Sequence, residues 1–366
     1  MTITAEAPGR ICLFGEHQDY LGFPVIAAAI DRTIVIQGDV KGPPRALVEL
    51  PDIGSREEFN LPPEHYSRSR DYLRSCARVL ARRGLLGPAG VHAAVRGNIP
   101  IQAGASSSSA LVVAWTGFLL AAAGRSAFLD DPMRVAELAY TAEVKEFGEN
   151  GGRMDHYASA CGGVIYLECE PRVNCESLPA CMKEFVLGDS GEPKDTLKTL
   201  ARLNRGQNEG LRQLMKAAHI RDRRELTPDH AEVFLKAVDR EWREYAQAAV
   251  ENHWITRRAR QVLRSSQPDN VALAGLMIRL QQILRDKLRV STPRLNAMID
   301  AALKAGALAA KINGSGEGGC MFAWCPGNRE AVMEAIRRAG GRAMAINIGP
   351  GLRVSAEKGA KTGEIR

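Results

Sequence analysis

The chain opens on short apolar runs cut by turn residues: Ile11-Cys12-Leu13-Phe14 before Gly15, then Val25-Ile26-Ala27-Ala28-Ala29-Ile30, then Thr33-Ile34-Val35-Ile36 before Gly38. Runs of this length bounded by glycine predict strands of a mixed sheet. From 67 to 83 the period changes, and Tyr72, Leu73, Cys76, Val79 and Leu80 fall on one side of a helix with arginines opposite. Gly87-Pro88 precedes a strand at 91–95, and a Gly/Ser loop at 103–109 runs straight into an apolar helix reaching about Ala123. A helix over 133–147 and a strand over 162–167 follow, then a Pro/Gly/Cys-rich connection at 170–182. From 196 to about 305 the pattern is helical, interrupted near Pro228, Pro268 and Pro293, where proline ends or bends a helix. Strands return at 321–324 and 343–346. There is no repeat at a fixed period. The order predicts two α+β domains, 1–180 and 181–366.

Composition narrows the class. At 366 residues the chain suits two domains of ordinary size, and 45% hydrophobic with 25% charged residues is globular. No apolar run approaches the roughly 20 residues of a membrane span, and Met1-Thr2-Ile3-Thr4 leads into neither a basic stretch nor an apolar core, so a soluble, cytoplasmic protein is expected. Forty-nine Lys+Arg against 42 Asp+Glu leave a net charge of +7, which would attract a polyanion. The basic stretches Arg221-Asp222-Arg223-Arg224 and Arg257-Arg258-Ala259-Arg260 nevertheless have acids in their neighbourhood, and aromatics are only 5%. They read as solvated helix faces, and no nucleic-acid partner is expected. Eight cysteines without C-x-x-C, and no His pair at zinc-ligand spacing, exclude a zinc cluster and predict buried free thiols.

Two glycine-rich segments carry candidate chemistry. Asn98-Ile99-Pro100-Ile101-Gln102-Ala103-Gly104-Ala105-Ser106-Ser107-Ser108-Ser109-Ala110 sets a free glycine and four hydroxyls before an apolar helix. Such a loop aims backbone N–H groups at one anion, with the helix dipole behind them. It lacks the G-K-[ST] of a Walker loop and the G-x-G-x-x-G of a dinucleotide fold; the plainer reading is a turn with an N-cap. Downstream, Lys311-Ile312-Asn313-Gly314-Ser315-Gly316-Glu317-Gly318-Gly319-Cys320 holds four glycines in six residues before a strand. It is either a surface hairpin or a second loop that closes on the same nucleotide.

Ala7-Pro8-Gly9-Arg10-Ile11-Cys12-Leu13-Phe14-Gly15-Glu16-His17-Gln18-Asp19-Tyr20 ends a strand with Arg, Glu, His and Asp inside ten residues. With the two glycine loops, in this order, it resembles the three motifs of the galactokinase, homoserine, mevalonate and phosphomevalonate (GHMP) kinase superfamily, over most of the chain. Gly15-Glu16-His17-Gln18-Asp19-Tyr20 is similar to the galactokinase signature. Leu284-Arg285-Asp286-Lys287-Leu288-Arg289-Val290-Ser291-Thr292-Pro293-Arg294-Leu295 resembles the segment galactokinases carry before their third motif. The resemblance implies an α+β, two-domain GHMP-kinase-like fold with the active site in the cleft between the domains. It further implies ATP and Mg²⁺, transfer of the γ-phosphate to the anomeric hydroxyl of galactose or a related monosaccharide, and a monomer or homodimer.

The family pattern then implies roles. Asp155, in Gly151-Gly152-Arg153-Met154-Asp155, is the candidate general base, and Arg10 would stand between it and the phosphate. Glu143 lies twelve residues before Asp155, the family's separation, and with Ser108 would hold Mg²⁺, Ser107 being the neighbouring alternative. Glu16, His17 and Asp19 would grip sugar hydroxyls. Gly104, Ala105, Ser106, Ser107, Ser108, Ser109, Gly314 and Gly316 would bind ATP.

Several positions depart from the galactokinase pattern: Cys12 for asparagine, Phe23 for a second glycine, Gln102 for glycine and Glu317 for phenylalanine. Residues 181–215 contain no tyrosine to face the sugar. Leu13-Phe14-Gly15-Glu16-His17 with Phe23-Pro24-Val25-Ile26-Ala27-Ala28-Ala29-Ile30-Asp31 leans toward mevalonate kinase, whose family continues with apolar residues in place of Gln18-Asp19-Tyr20. An amino, deoxy or acidic hexose therefore stays open as substrate. So do a mevalonate kinase-like activity and a catalytically silent sugar sensor, although a sensor would be free to lose Arg10, Ser108, Glu143 or Asp155.

Overall fold

Strand parity along the first forty residues sets up the architecture. The computed structural model describes residues 1–100 and 104–357; Gln102 and Ala103 of the first glycine loop lie outside them. In β1 (Thr2–Phe14), Ile3, Ala5 and Ala7 face one core, yet beyond Arg10 it is the even-numbered Cys12 that faces that core while Ile11 and Leu13 face the other. The flip is a bulge: the register with β2 (Val25–Val40) slips between Pro8 and Arg10. Three residues of β2, Ile30 to Arg32, stand opposite Gly9 alone, and the alternation of β1 changes phase there. Gly9 sits at the slip, where a Cβ would meet Ala105 O at 2.6 Å.

The first sheet runs β12-β1-β2-β5-β3-β4, with β3 (Arg45–Leu50), β4 (Ser55–Asn60), β5 (Val91–Gly97) and β12 (Arg353–Glu357). β6 (Val164–Glu168) also pairs with β2 and carries β7 (Asn174–Leu178). Only β3 and β5 are parallel among these pairs. A second, antiparallel sheet is ordered β11-β8-β10-β9, from β8 (Phe185–Asp189), β9 (Ala309–Ile312), β10 (Cys320–Trp324) and β11 (Arg342–Ile346). The helices are α1 (Tyr72–Arg82), α2 (Ser107–Ala122), α3 (Ser126–Leu129), α4 (Pro132–Glu143), α5 (Met154–Cys161), α6 (Thr196–Ala218), α7 (Pro228–Phe234), α8 (Arg243–Leu263), α9 (Asn270–Gln282), α10 (Pro293–Lys304) and α11 (Arg329–Arg338).

One core lies between the first sheet and α1, α2, α4 and α5; another joins β1, β2 and β6 to the second sheet and α8–α10. α2 is apolar all round and buried from Ser109 to Leu120 apart from Leu111, as expected of a central helix. Trp115 at its middle is fully buried and donates its indole N–H to Leu73 O at 3.0 Å. Among the described residues no helix is long and apolar enough to cross a membrane, and all eight cysteines are free thiols.

Differences from the sequence reading have local causes. The helix expected from 67 starts at Tyr72, because the Asp71 side chain accepts from Ser67 N at 2.9 Å and from Arg74 N at 3.5 Å and fixes the N-cap there. The strands expected at 25–30 and 33–36 are one strand, bent over two partners: Val25–Ala28 pair with β6 and Ile34–Val40 with β5. The helix expected to 147 stops at Glu143 and resumes as a 3₁₀ turn at Lys145–Phe147. Within the connection expected at 170–182, Asn174–Leu178 form β7 against β6.

Candidate active site

The bulge at Gly9 aims Arg10 across the ends of two helices. Its backbone N–H donates to Ala105 O at 3.1 Å, tying the strand to the first glycine loop. Its guanidinium forks onto Asp155: Nε to Oδ1 and Nη2 to Oδ2, each 2.8 Å. Nη1 donates to Gly104 O at 2.6 Å. A planar fork on a carboxylate fixes both partners. Ser106, held left-handed at φ 61°, donates its hydroxyl to Asp155 Oδ2. Burial by itself would raise the Asp155 pKa; Arg10 and Ser106 outweigh it and hold the carboxyl below its ordinary value. Asp155 is therefore an ionised acid in the first turn of α5.

These groups border a cavity of about 580 Å³, lined also by Glu16, His17, Asp19, Ser107, Ser108, Ser109, Glu143, Gly314 and Ser315. The two glycine loops touch. Asn313, at the start of the second, accepts from Cys12 N at 2.9 Å and donates to Gly104 O at 3.1 Å. A Cβ on Gly314 would meet Gly104 O at 2.9 Å. Gly316 turns away, its Cβ position 2.4 Å from Val290 O, and Ala105 is fully buried behind the loop. Glu317, at φ 56°, accepts from Thr199 Oγ1 at 2.6 Å and from Arg202 Nη2 at 2.5 Å. It thereby fastens the second loop to α6.

Glu143 is the last residue of α4 and only 5% exposed. Its carboxylate pairs with His156 Nε2 at 2.7 Å. Burial would raise its pKa; His156 and the hydroxyls of Ser108 and Ser109 prevail and lower it. One carboxylate and a hydroxyl at the mouth of a helix are hard oxygen donors of the kind Mg²⁺ takes while keeping most of its waters.

The turn after β1 divides its residues between wall and surface. Glu16 is 1% exposed and its carboxylate is sealed against the buried Lys311, whose ammonium also donates to Cys12 O at 3.1 Å and Ile312 O at 2.8 Å. His17 is 5% exposed and bonds Ser315 O through Nε2 at 3.1 Å, so Nε2 carries the proton. Burial lowers its pKa to about 4. Asp19 reaches the cavity. Its Oδ2 accepts from Met154 N and its Oδ1 from Tyr20 N, both at 3.0 Å. Burial and then Asp155 raise its pKa, against those N–H donors. Gly152 lets it approach, since a Cβ there would stand 1.8 Å from Asp19 Oδ2. α8 buttresses the turn through Asn252 Nδ2 to Glu16 O, 2.8 Å, and Arg223 braces it through Leu21 O, 3.0 Å. The motif reading did not single out His156, Lys194, Lys311 or Asn313. Lys311 and Asn313 border the second glycine loop, but their partners on β1 are three hundred residues away in sequence.

Comparison with known proteins agrees with this geometry. Residues 71–163 match the family model described as GHMP kinases N terminal domain, and 262–342 the GHMP kinases C terminal model. Residues 2–39 match the galactokinase galactose-binding signature. A mevalonate kinase of Methanothermobacter thermautotrophicus is 30% identical, covering 92% of this chain and 95% of its own length. A galactokinase of Pasteurella multocida is 26% identical, covering 92% and 88%. In fold, Lactococcus lactis galactokinase complexed with galactose superposes with a TM-score of 0.83 at 21% identity, covering 96% of this chain and 95% of that one. Methanococcus jannaschii mevalonate kinase gives 0.68 at 17%, covering 95% and 98%. With its Arg10–Asp155 pair, two touching glycine loops and matched N- and C-terminal models, this chain belongs to the GHMP kinases, small-molecule phosphotransferases that use ATP with a divalent metal.

Proposed function

We propose that this protein transfers the γ-phosphate of ATP to the anomeric hydroxyl of a monosaccharide, galactose or a close relative, giving the sugar 1-phosphate and ADP. The observation that carries the acceptor is Asp19: a carboxylate on the cavity beside Asp155, with each oxygen given one N–H bond and lone pairs left over. Acceptors crowded in this way suit a neutral, hydroxyl-rich molecule, which brings donors. The galactose-binding signature over 2–39 supports the same reading.

In the reaction Asp155 orients the attacking hydroxyl and takes its proton. Held ionised by Arg10, it is a weak base, so the proton moves late, when the oxygen is already bonding to phosphorus. Arg10 keeps the carboxylate in place and adds positive charge where the transferring phosphoryl passes. Mg²⁺, held by Glu143 and Ser108, would neutralise the phosphate oxygens. Gly104, the serines at 106–109 and Gly314 offer the backbone and hydroxyl groups for the nucleotide.

A mevalonate kinase activity is the second reading, favoured by relatives such as the 29% identical mevalonate kinase of Thermococcus onnurineus. It would set the carboxylate of mevalonate in a cavity that already holds Asp19 and Asp155. Asp155→Asn tests the shared mechanism: turnover should fall by roughly 10³-fold while calorimetric ATP binding stays within about twofold of wild type. Retained turnover would remove Asp155 from the reaction.

A further inference from the structure

Three cations line the cavity, and two already have an acid. Arg10 is forked onto Asp155, and Arg70 is forked onto Glu149. Lys194, on the connection from β8 to α6, enters no ion pair among the described residues. Its ammonium donates to Ser315 Oγ at 3.2 Å. Lys194 lines the cavity, half-buried, where the two glycine loops converge: a Cβ on Gly104 would stand 3.1 Å from Lys194 Nζ. Ser315 follows Gly314 in the second loop, and Thr196 Oγ1 is 3.4 Å from the same Ser315 hydroxyl. Drawing a cation away from water without a counter-ion is costly. Such a site is completed by an anion brought in from outside.

We propose that Lys194 is the cation that receives the γ-phosphate of ATP during transfer, at the junction of the two glycine loops and across from Arg10. The inference rests on the phosphotransfer reading but not on which hydroxyl accepts. As the acceptor oxygen bonds to phosphorus, the bond from the γ-phosphorus to the bridging oxygen breaks and leaves its electron pair on ADP. The acceptor's proton goes to Asp155. Lys194 forms no covalent bond and keeps its own proton; it meets charge that spreads over the transferring oxygens. Facing it are Arg10 from β1, which repels, Asp155 from α5, which attracts, Cys320 from β10 and His17 from the turn after β1. Burial, then Arg10, lower the Lys194 pKa to about 8.

The test is calorimetric binding of MgADP and of MgAMP-PNP, which keeps a γ-phosphate, to wild type, Lys194→Met and Lys194→Arg. Lys194→Met should weaken AMP-PNP roughly tenfold and leave ADP within about twofold. Its kcat/KM for ATP should fall by roughly 10²-fold. Wild-type affinity for AMP-PNP should decline above pH 8 or so, whereas Lys194→Arg, charged throughout, should bind without that decline. Equal weakening of both nucleotides in Lys194→Met, or of neither, overturns the proposal. So does an alkaline decline that persists in Lys194→Arg, the variant that decides the matter if the methionine protein fails to fold. A wild type that binds neither nucleotide would instead overturn the phosphotransfer reading itself, and the role of Lys194 with it.

Discussion

Gly152→Ala isolates the grip on the sugar from the chemistry. Gly152 is not among the glycines with positive φ, so alanine fits the backbone and the whole effect is steric. Its Cβ would stand 1.8 Å from Asp19 Oδ2, 2.0 Å from Cγ and 2.3 Å from Oδ1, where an unstrained contact needs about 3.5 Å. The Asp19 carboxylate must retreat by more than 1 Å or so, breaking its 3.0 Å bond from Met154 N. A hydrogen bond to a charged acceptor contributes about 1.5–3 kcal/mol, so losing one between Asp19 and the sugar raises the sugar KM roughly ten- to a hundredfold. The Arg10–Asp155 fork lies on other atoms, so nucleotide affinity should stay near wild type. The assay is ADP release against sugar concentration at saturating MgATP, with calorimetry of nucleotide alongside. A sugar KM within about twofold of wild type would refute the assignment of Asp19 to the sugar.

Other expectations follow from the same geometry. Glu143→Gln removes the charge offered to Mg²⁺, and His156→Ala removes the group that orients it; the Mg²⁺ concentration for half-maximal rate should rise by roughly 10- to 100-fold in each, read from ADP release across a magnesium titration. His17 and His253 both have pKa values lowered to about 4 by burial. Between an ordinary value near 6.5 and about 4, the unfolded chain binds protons that the folded chain refuses. Their stabilisation is thus complete above pH 6.5 or so and is lost on acidification, at up to about 1.4 kcal/mol per pH unit for each. Urea unfolding from pH 7 to 4.5 should show that decline, and His253→Gln should reduce its slope; an unchanged slope would contradict it.

The motifs were legible where chemistry is local in sequence. Arg10, Asp19, Asp155 and the serines at 106–109 lie in short stretches whose composition has few uses, and the structure brings them to one cavity. The fold was legible where an unbroken apolar run stands between turn residues, as in α2 and β10. Partners across sequence were not. β12 carries Arg353-Val354-Ser355-Ala356-Glu357, which is mostly exposed and has no strong alternation, and it is a strand because β1 offers it an edge. β7 exists because β6 does. The pairing of Glu16 with Lys311 could not be read, because nothing in the sequence around Glu16 announces a lysine that arrives from β9. Lys194 was silent for the converse reason: no motif or period marks Glu192-Pro193-Lys194-Asp195, and only the convergence of two distant loops gives the ammonium a place.

The most direct test is ADP release with MgATP over a panel of free hexoses, amino and deoxy sugars, sugar acids and mevalonate, using wild type and Asp155→Asn in parallel. The account predicts turnover with galactose or a near relative, abolished in Asp155→Asn, and none with mevalonate. Turnover of mevalonate in place of every sugar would contradict the role given to Asp19 and with it the acceptor proposed here.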